Sequence, residues 1–212
     1  KCKILAIICL QFPSNPANKP NSSTTNQTTL TMKKLLFLIL TLFTLTSCDK
    51  DDNKSTNPIE KLPPATQTGA NTFGCLLDGE IFKPGIYHNS YNCFYQYVNG
   101  YYYFNVSANN TSNNILKDIM VGTEKLAIAE GQTLNLYERV NGNAFGSLSN
   151  LDDNTGIYQH NSTSAINTGE LKITKLDLKN NIVACTFWYD IKDNKGVIHQ
   201  IREGRFDMQF TK

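Results

Sequence analysis

Beyond residue 72, apolar and polar positions alternate with a period of two, the spacing of strands that bury one face. The pattern is clearest at 91–98 and 101–107, which are separated by Asn99-Gly100. Asn-Gly suits a type I′ hairpin turn because both central positions need positive φ. A two-residue loop pairs Val98 with Tyr101 and so fixes the register. Cys93, Tyr95 and Tyr97 then share a face with Tyr102, Phe104 and Val106, the more apolar side and the predicted core. The opposite face carries Asn92, Phe94, Gln96, Val98, Tyr101, Tyr103 and Asn105.

The same reasoning predicts a short hairpin at 73–77 and 80–82 around Asp78-Gly79, and another at 170–178 and 182–190 around Asn180-Asn181. Further strands are expected at 118–122, 126–129, 133–138, 144–148, 156–160 and 197–210. Gly131, Asn141-Gly142, Asp152-Asp153-Asn154, Thr168-Gly169 and Asp193-Asn194-Lys195-Gly196 supply the breaks. No stretch has a capped helical period, although 115–120 or 123–129 has room for one turn. Short strands at this spacing predict an all-β domain over 72–212, an antiparallel β-sandwich or flattened β-barrel, with a lipocalin-like barrel as the alternative.

The chain before residue 72 has a different character. Met32-Lys33-Lys34 precedes a dozen or so apolar residues and then Leu45-Thr46-Ser47-Cys48. A basic start, a short apolar run and small residues mark a secretory signal peptide over 32–47. The run falls short of the roughly 20 residues that span a bilayer. Residues 1–31, with Pro13, Pro16, Pro20 and a Ser/Thr/Asn tract, lack the periodicity of a core and read as an extension upstream of a start at Met32. Residues 48–71 are polar, with Pro58, Pro63 and Pro64, and predict a disordered tether.

Composition changes the picture only through its distribution. The 212 residues carry a formal charge of +2. Five of the 20 basic residues and none of the 18 acidic ones precede Cys48, so the remainder holds 15 against 18, a charge of −3. The basic balance therefore belongs to the leader and gives no reason to expect a nucleic-acid partner.

Leu45-Thr46-Ser47-Cys48 resembles the lipobox of bacterial lipoproteins, which implies lipidation at Cys48. Lys50-Asp51-Asp52 resembles the surface-export signal of Bacteroidota lipoproteins, which implies a lipid anchor on the outer face of the outer membrane, the periplasmic face being the alternative. Two further stretches carry a wider resemblance, Phe73-Gly74-Cys75-Leu76-Leu77-Asp78-Gly79-Glu80-Ile81-Phe82 and Gly169-Glu170-Leu171-Lys172-Ile173-Thr174-Lys175-Leu176-Asp177. With Ile182-Val183-Ala184-Cys185-Thr186-Phe187 and Gly204-Arg205-Phe206-Asp207 they are similar to uncharacterised Bacteroidota lipoproteins of the DUF6252 type. Cys185 departs from that pattern, where a small residue is commoner. The resemblance implies a β-rich, lipidated protein and no catalytic residue.

Candidate chemistry is sparse. Cys75 and Cys93 flank the first two hairpins and are the preferred disulfide pair of an exported protein, while Cys185 alternates with core positions. His88, His160 and His199 have no zinc spacing and no link to a cysteine. The Asp152 and Asp193 loops lack the EF-hand pattern and read as turns. No metal, cofactor or catalytic group is expected. Arg205 and Asp207 share a face and can join an ion pair or clamp a ligand. Seven of the ten tyrosines lie between Tyr87 and Tyr103. An exposed outer face would make Phe94, Tyr101 and Tyr103 a flat patch ringed by Asn92, Gln96 and Asn105, suited to stacking on sugar rings.

These observations point to a non-enzymatic surface lipoprotein, a binding or envelope-structural module with the membrane as one partner and a glycan or protein as another. The alternatives are a lipocalin-like carrier of a small apolar ligand and a glycan-acting hydrolase. The hydrolase needs two carboxylates about 5–9.5 Å apart in a cleft. Sequence cannot place Glu124, Glu130, Glu138 or Asp152 in that way.

Overall fold

The computed structural model describes residues 57–86 and 90–212. Cys48, Lys50, Asp51 and Asp52, the signal peptide, the first part of the expected tether and His88 lie outside them. Among the described residues, a 3₁₀ turn at Pro58–Lys61 is followed by strands and loops alone. Its strands are β1 (Thr72–Leu77), β2 (Glu80–Phe82), β3 (Tyr91–Val98), β4 (Tyr101–Ser112), β5 (Ile115–Thr123) and β6 (Thr133–Leu136). They continue with β7 (Ala144–Asp152), β8 (Ile157–Ser162), β9 (Gly169–Asp177), β10 (Ile182–Lys192) and β11 (Ile198–Gln209).

All 11 strands belong to one sheet, in the order β2-β1-β11-β10-β9-β6-β7-β5-β4-β3, with β8 added to β7. The pairing is antiparallel except where β6 meets β7 through Leu136 and Ala144. Short β6 joins two blocks, since its other edge pairs with β9, Leu134 opposite Leu171. The edge of β7 is shared: Ala144 meets β6, and Ser147 to Asp152 meet β8.

The expected hairpin register holds. Val98 pairs with Tyr101, Tyr95 with Phe104 and Cys93 with Val106. Asn99 and Gly100 have φ of 50° and 87°, the positive values their turn requires. Cys93, Tyr95, Phe104 and Val106 are buried, as the apolar alternation predicts, whereas Tyr97 and Tyr102, expected on the same core face, lie near the turn and are exposed. The expected strand at 126–129 is a loop. Its backbone is bonded to side chains instead: Thr123 Oγ1 donates to the Leu126 carbonyl and the Ile128 N–H donates to the Tyr95 hydroxyl.

The sheet is not closed into a barrel, flattened or lipocalin-like. The free edge of β3 meets the chain beyond β11 at one isolated bridge, Phe94 to Thr211. Nor is the interior hollow where the blocks meet. Phe104 on β4 lies 6.3 Å from Phe206 on β11, and Tyr95 on β3 lies 5.9 Å from Phe210. Tyr189 on β10 is fully buried and its hydroxyl donates to the carbonyls of Met120 and Ser147. Residues from both blocks thus form one apolar core.

Residues 57–71, expected as the distal part of a tether, pack on this sheet. Leu62 is buried. Asp207, fully buried on β11, accepts hydrogen bonds from Thr66 Oγ1 (2.7 Å), the Thr68 N–H (2.8 Å) and the Gly69 N–H (2.7 Å). A buried carboxylate without donors is costly, so the carboxylate and the polar segment satisfy each other.

Candidate functional site

Alternation along β3 and β4 turns Phe94, Gln96, Tyr103 and Asn105 outward, and the register places Phe94 opposite Asn105 and Gln96 opposite Tyr103. The row continues across the sheet, because Asn105 pairs with Gly122 and Gly122 with Phe145. Gly122 is the gap in this row. A Cβ there would sit 2.6 Å from the Phe104 carbonyl oxygen and 3.1 Å from the Phe145 ring. Beside Gly122 a cleft of about 310 Å³ lies between the hairpin and Phe145.

Glu124, just after β5, and Arg139, in the loop before β7, complete the wall. Arg139 Nε donates to Glu124 Oε1 at 2.7 Å, and the guanidinium lies 4.7 Å from the centre of the Phe145 ring. This covers Phe145, an outward-pointing residue that is nevertheless buried. The ion pair uses Nε and one carboxylate oxygen, which leaves the Nη groups and a second carboxylate oxygen for other partners. Aromatic faces, amides and a fixed donor–acceptor pair can stack on a ring and bond its hydroxyls.

The expected patch is therefore altered. Phe94 and Tyr103 line the cleft with Gln96 and Asn105. Tyr101 does not line it; its ring is half-exposed beneath the Lys125 ammonium at 4.8 Å. Asn92 is exposed and does not line it either. The sequence reading did not name Arg139 or Phe145, and it weighed Glu124 only as a hydrolase carboxylate. Alternation within 144–148 puts Phe145 on the outer face, but only the pairing of β5 with β7 shows which neighbours it meets.

Other expected sites separate. Cys75, Cys93 and Cys185 are free, buried thiols, so the Cys75–Cys93 bridge is not formed. Cys75 pairs with Phe82, Cys93 with Val106, on strands of different blocks. Burial pushes all three thiols well above their usual range, which makes them poor nucleophiles. Arg205 and Asp207 do not pair with each other. The Arg205 guanidinium reaches Glu203 while Asp207 holds the segment before β1. His199 Nδ1 lies 2.8 Å from Asp78 Oδ2. The Asp152 and Asp193 carboxylates accept from the N–H groups of Asn154 and Val197, closing turns. Among the described residues no cluster of three or more His, Cys, Asp or Glu is placed to hold a metal ion.

The carboxylates considered for hydrolysis have separate partners. Glu124 bonds Arg139, Glu130 accepts from the Leu176 N–H, and Glu138 accepts from the Ala165 N–H. Ser149 Oγ and His160 Nδ1 meet at 2.8 Å on paired strands β7 and β8. They form a cross-strand side-chain pair at the edge of the sheet, where β8 pairs with β7 alone among the named strands. Compared with known proteins, the chain matches no family model, no curated protein and no solved structure.

Proposed function

We propose that the chain is a non-enzymatic binding module, held by a lipid at Cys48 on the outer face of the outer membrane, and that the cleft beside Phe94 and Tyr103 takes a neutral sugar ring. The signal peptide, the lipobox and Lys50-Asp51-Asp52 support the address, and the likeness to Bacteroidota lipoproteins is consistent with it. The curled sheet is read as a flattened sandwich whose two blocks bury their inner faces and leave the outer faces to meet ligands. One observation carries the binding site: the aromatic side chains of Phe94, Tyr103 and Phe145, two amides and a fixed Arg139–Glu124 pair surround one cleft of about 310 Å³. That size is at the lower end for ligand pockets and suits one ring rather than a lipid tail.

The test is a glycan-array screen of the full chain in detergent micelles, followed by titration of the best sugar. Phe94→Ala/Tyr103→Ala and Arg139→Gln are expected to weaken binding about tenfold or more, and Tyr101→Ala to leave it unchanged. Far-ultraviolet circular dichroism would verify that each variant is folded. A folded protein that binds no sugar would remove this reading and transfer weight to an envelope-structural role.

A further inference from the structure

A second concavity lies elsewhere on the sheet and does not depend on the Phe94 cleft. β11 carries a bulge. Phe187 pairs with Gly204 and Tyr189 with Ile201, so Arg202 and Glu203 are the extra length opposite Trp188. The pairing of β1 with β11 shifts at the same place, between Gly74 and Leu76. Glu203 has a φ of 53° and, among the described residues, is the only one without a glycine backbone that takes positive φ inside a strand. A left-handed residue in mid-strand is strained, and bulges of this kind commonly re-aim side chains at ligand sites.

The bulge opens a groove of about 510 Å³ beside Glu170, Thr186, Trp188, Arg202, Glu203 and Arg205. Trp188 is the single tryptophan of the chain and is 42% exposed although it sits in mid-strand. Its indole is held in place. The Arg202 guanidinium lies 5.4 Å from its centre, and Arg202 is itself fixed by Asp190 Oδ1 (2.6 Å) and by the carbonyls of Tyr189 and Ile201. Arg205 reaches Glu203 at 3.3 Å. The lining thus holds two guanidinium groups, Arg202 and Arg205, and two carboxylates, Glu170 and Glu203, around one exposed aromatic ring, with Asp190 bonded to Arg202 and Glu203 to Arg205.

This balance selects the ligand. A phosphate or nucleotide would meet two carboxylates, and a polyamine two guanidinium groups. An uncharged, polyhydroxylated ring can lay its C–H face on the indole, donate to the carboxylates and accept from the guanidinium groups, and it brings no charge of its own to either. We propose that the Trp188 groove is a binding site for a neutral oligosaccharide, separate from the Phe94 cleft. A chain several residues long fits the larger volume.

Because Trp188 is the only tryptophan, its fluorescence reports on this groove alone. The full chain in detergent micelles would be titrated with cellohexaose, xylohexaose, mannohexaose and maltohexaose. A saturable change in emission with one of them is expected. Glu170→Gln, in which the fluorophore is retained, is expected to weaken that titration about tenfold or more with an unchanged urea midpoint. Phe94→Ala/Tyr103→Ala should leave it unaltered, so failure of the Phe94 cleft and failure of this groove give different results. No emission change with any of the four sugars, or a change that Glu170→Gln leaves intact, would overturn the proposal.

Discussion

At the scale of single residues, Asp118 carries the clearest consequence for stability. It stands on β5 in a cross-strand row, Asn109 on one side and Ser149 on the other, with His160 beyond Ser149. Burial pushes its carboxyl up to about 6. His160 has its own pKa lowered, by burial first and by the Arg139 charge second, so above that value it brings no cation to offset Asp118. An unfolded aspartate titrates near 3.9. Between about pH 4 and pH 6 the folded chain therefore holds a proton that the unfolded chain has lost. Stability from this group is full at the acid end and falls as pH rises through the folded value. Asp118→Asn removes the charge and should make the protein more stable at pH 7 by about 1–2 kcal/mol, a figure reduced because the carboxyl is only partly buried. Urea midpoints at pH 4 and pH 7 check this. The variant and the parent should converge at the acid end, and an equal offset at both values would sink the assignment.

Between elements, Asp207 fastens the polar segment before β1 to the middle of the sheet. Burial pulls its pKa up, but hydrogen bonds from Thr66, Thr68, Gly69 and Ala70 together outweigh this and hold it below the ordinary aspartate range. The sign is opposite to that of Asp118. Its stabilisation is present above about pH 4 and is lost as pH falls through the lowered folded value. Asp207→Asn turns one acceptor into a donor facing donors and should cost about 1–3 kcal/mol. Amide exchange at Thr68 and Gly69 should quicken more than exchange in β9; equal protection in the variant would mean that the segment is held by something else. This contact also explains what the sequence could not reveal. Residues 57–71 look like a tether by composition because their attachment rests on little apolar area, chiefly Leu62, and on a carboxylate about 140 residues away. The hairpins at Asn99-Gly100 and Asn180-Asn181 were legible because turn residues and alternation are local. The parallel contact of β6 with β7 was not, since Leu136 and Ala144 offer no pattern that tells a bridging strand from an ordinary hairpin. Half of the Phe94 cleft was legible for the same reason. Phe94 and Tyr103 follow from one hairpin, whereas Arg139 and Phe145 arrive through the pairing of β5 with β7.

Across the whole molecule, the open sheet depends on its two blocks sharing one core, and three thiols sample that core from different strands. Cys75 on β1 and Cys185 on β10 lie in one block and Cys93 on β3 in the other, each nearly or fully buried. The free edge of β3 is held by the Tyr95 N–H to the Thr211 carbonyl and by the Thr211 N–H to the Cys93 carbonyl. If these contacts and the shared core make a single cooperative unit, no thiol can be reached without global opening. Cysteine alkylation, read by mass spectrometry on peptides of the full chain, should then modify Cys75, Cys93 and Cys185 at one common rate under native conditions. Urea should accelerate all three with the same slope, since that slope reports the surface exposed in the opening. Burial keeps each thiol protonated, so raising the pH from 7 to 9 should speed labelling only through the opened state, where an ordinary thiol titrates near 8.5. Faster labelling of Cys93 alone, with a shallower urea slope, would show that β3–β5 swing away from β9–β11 as a separate unit. The outer faces proposed to bind sugars would then move relative to each other instead of forming one rigid surface.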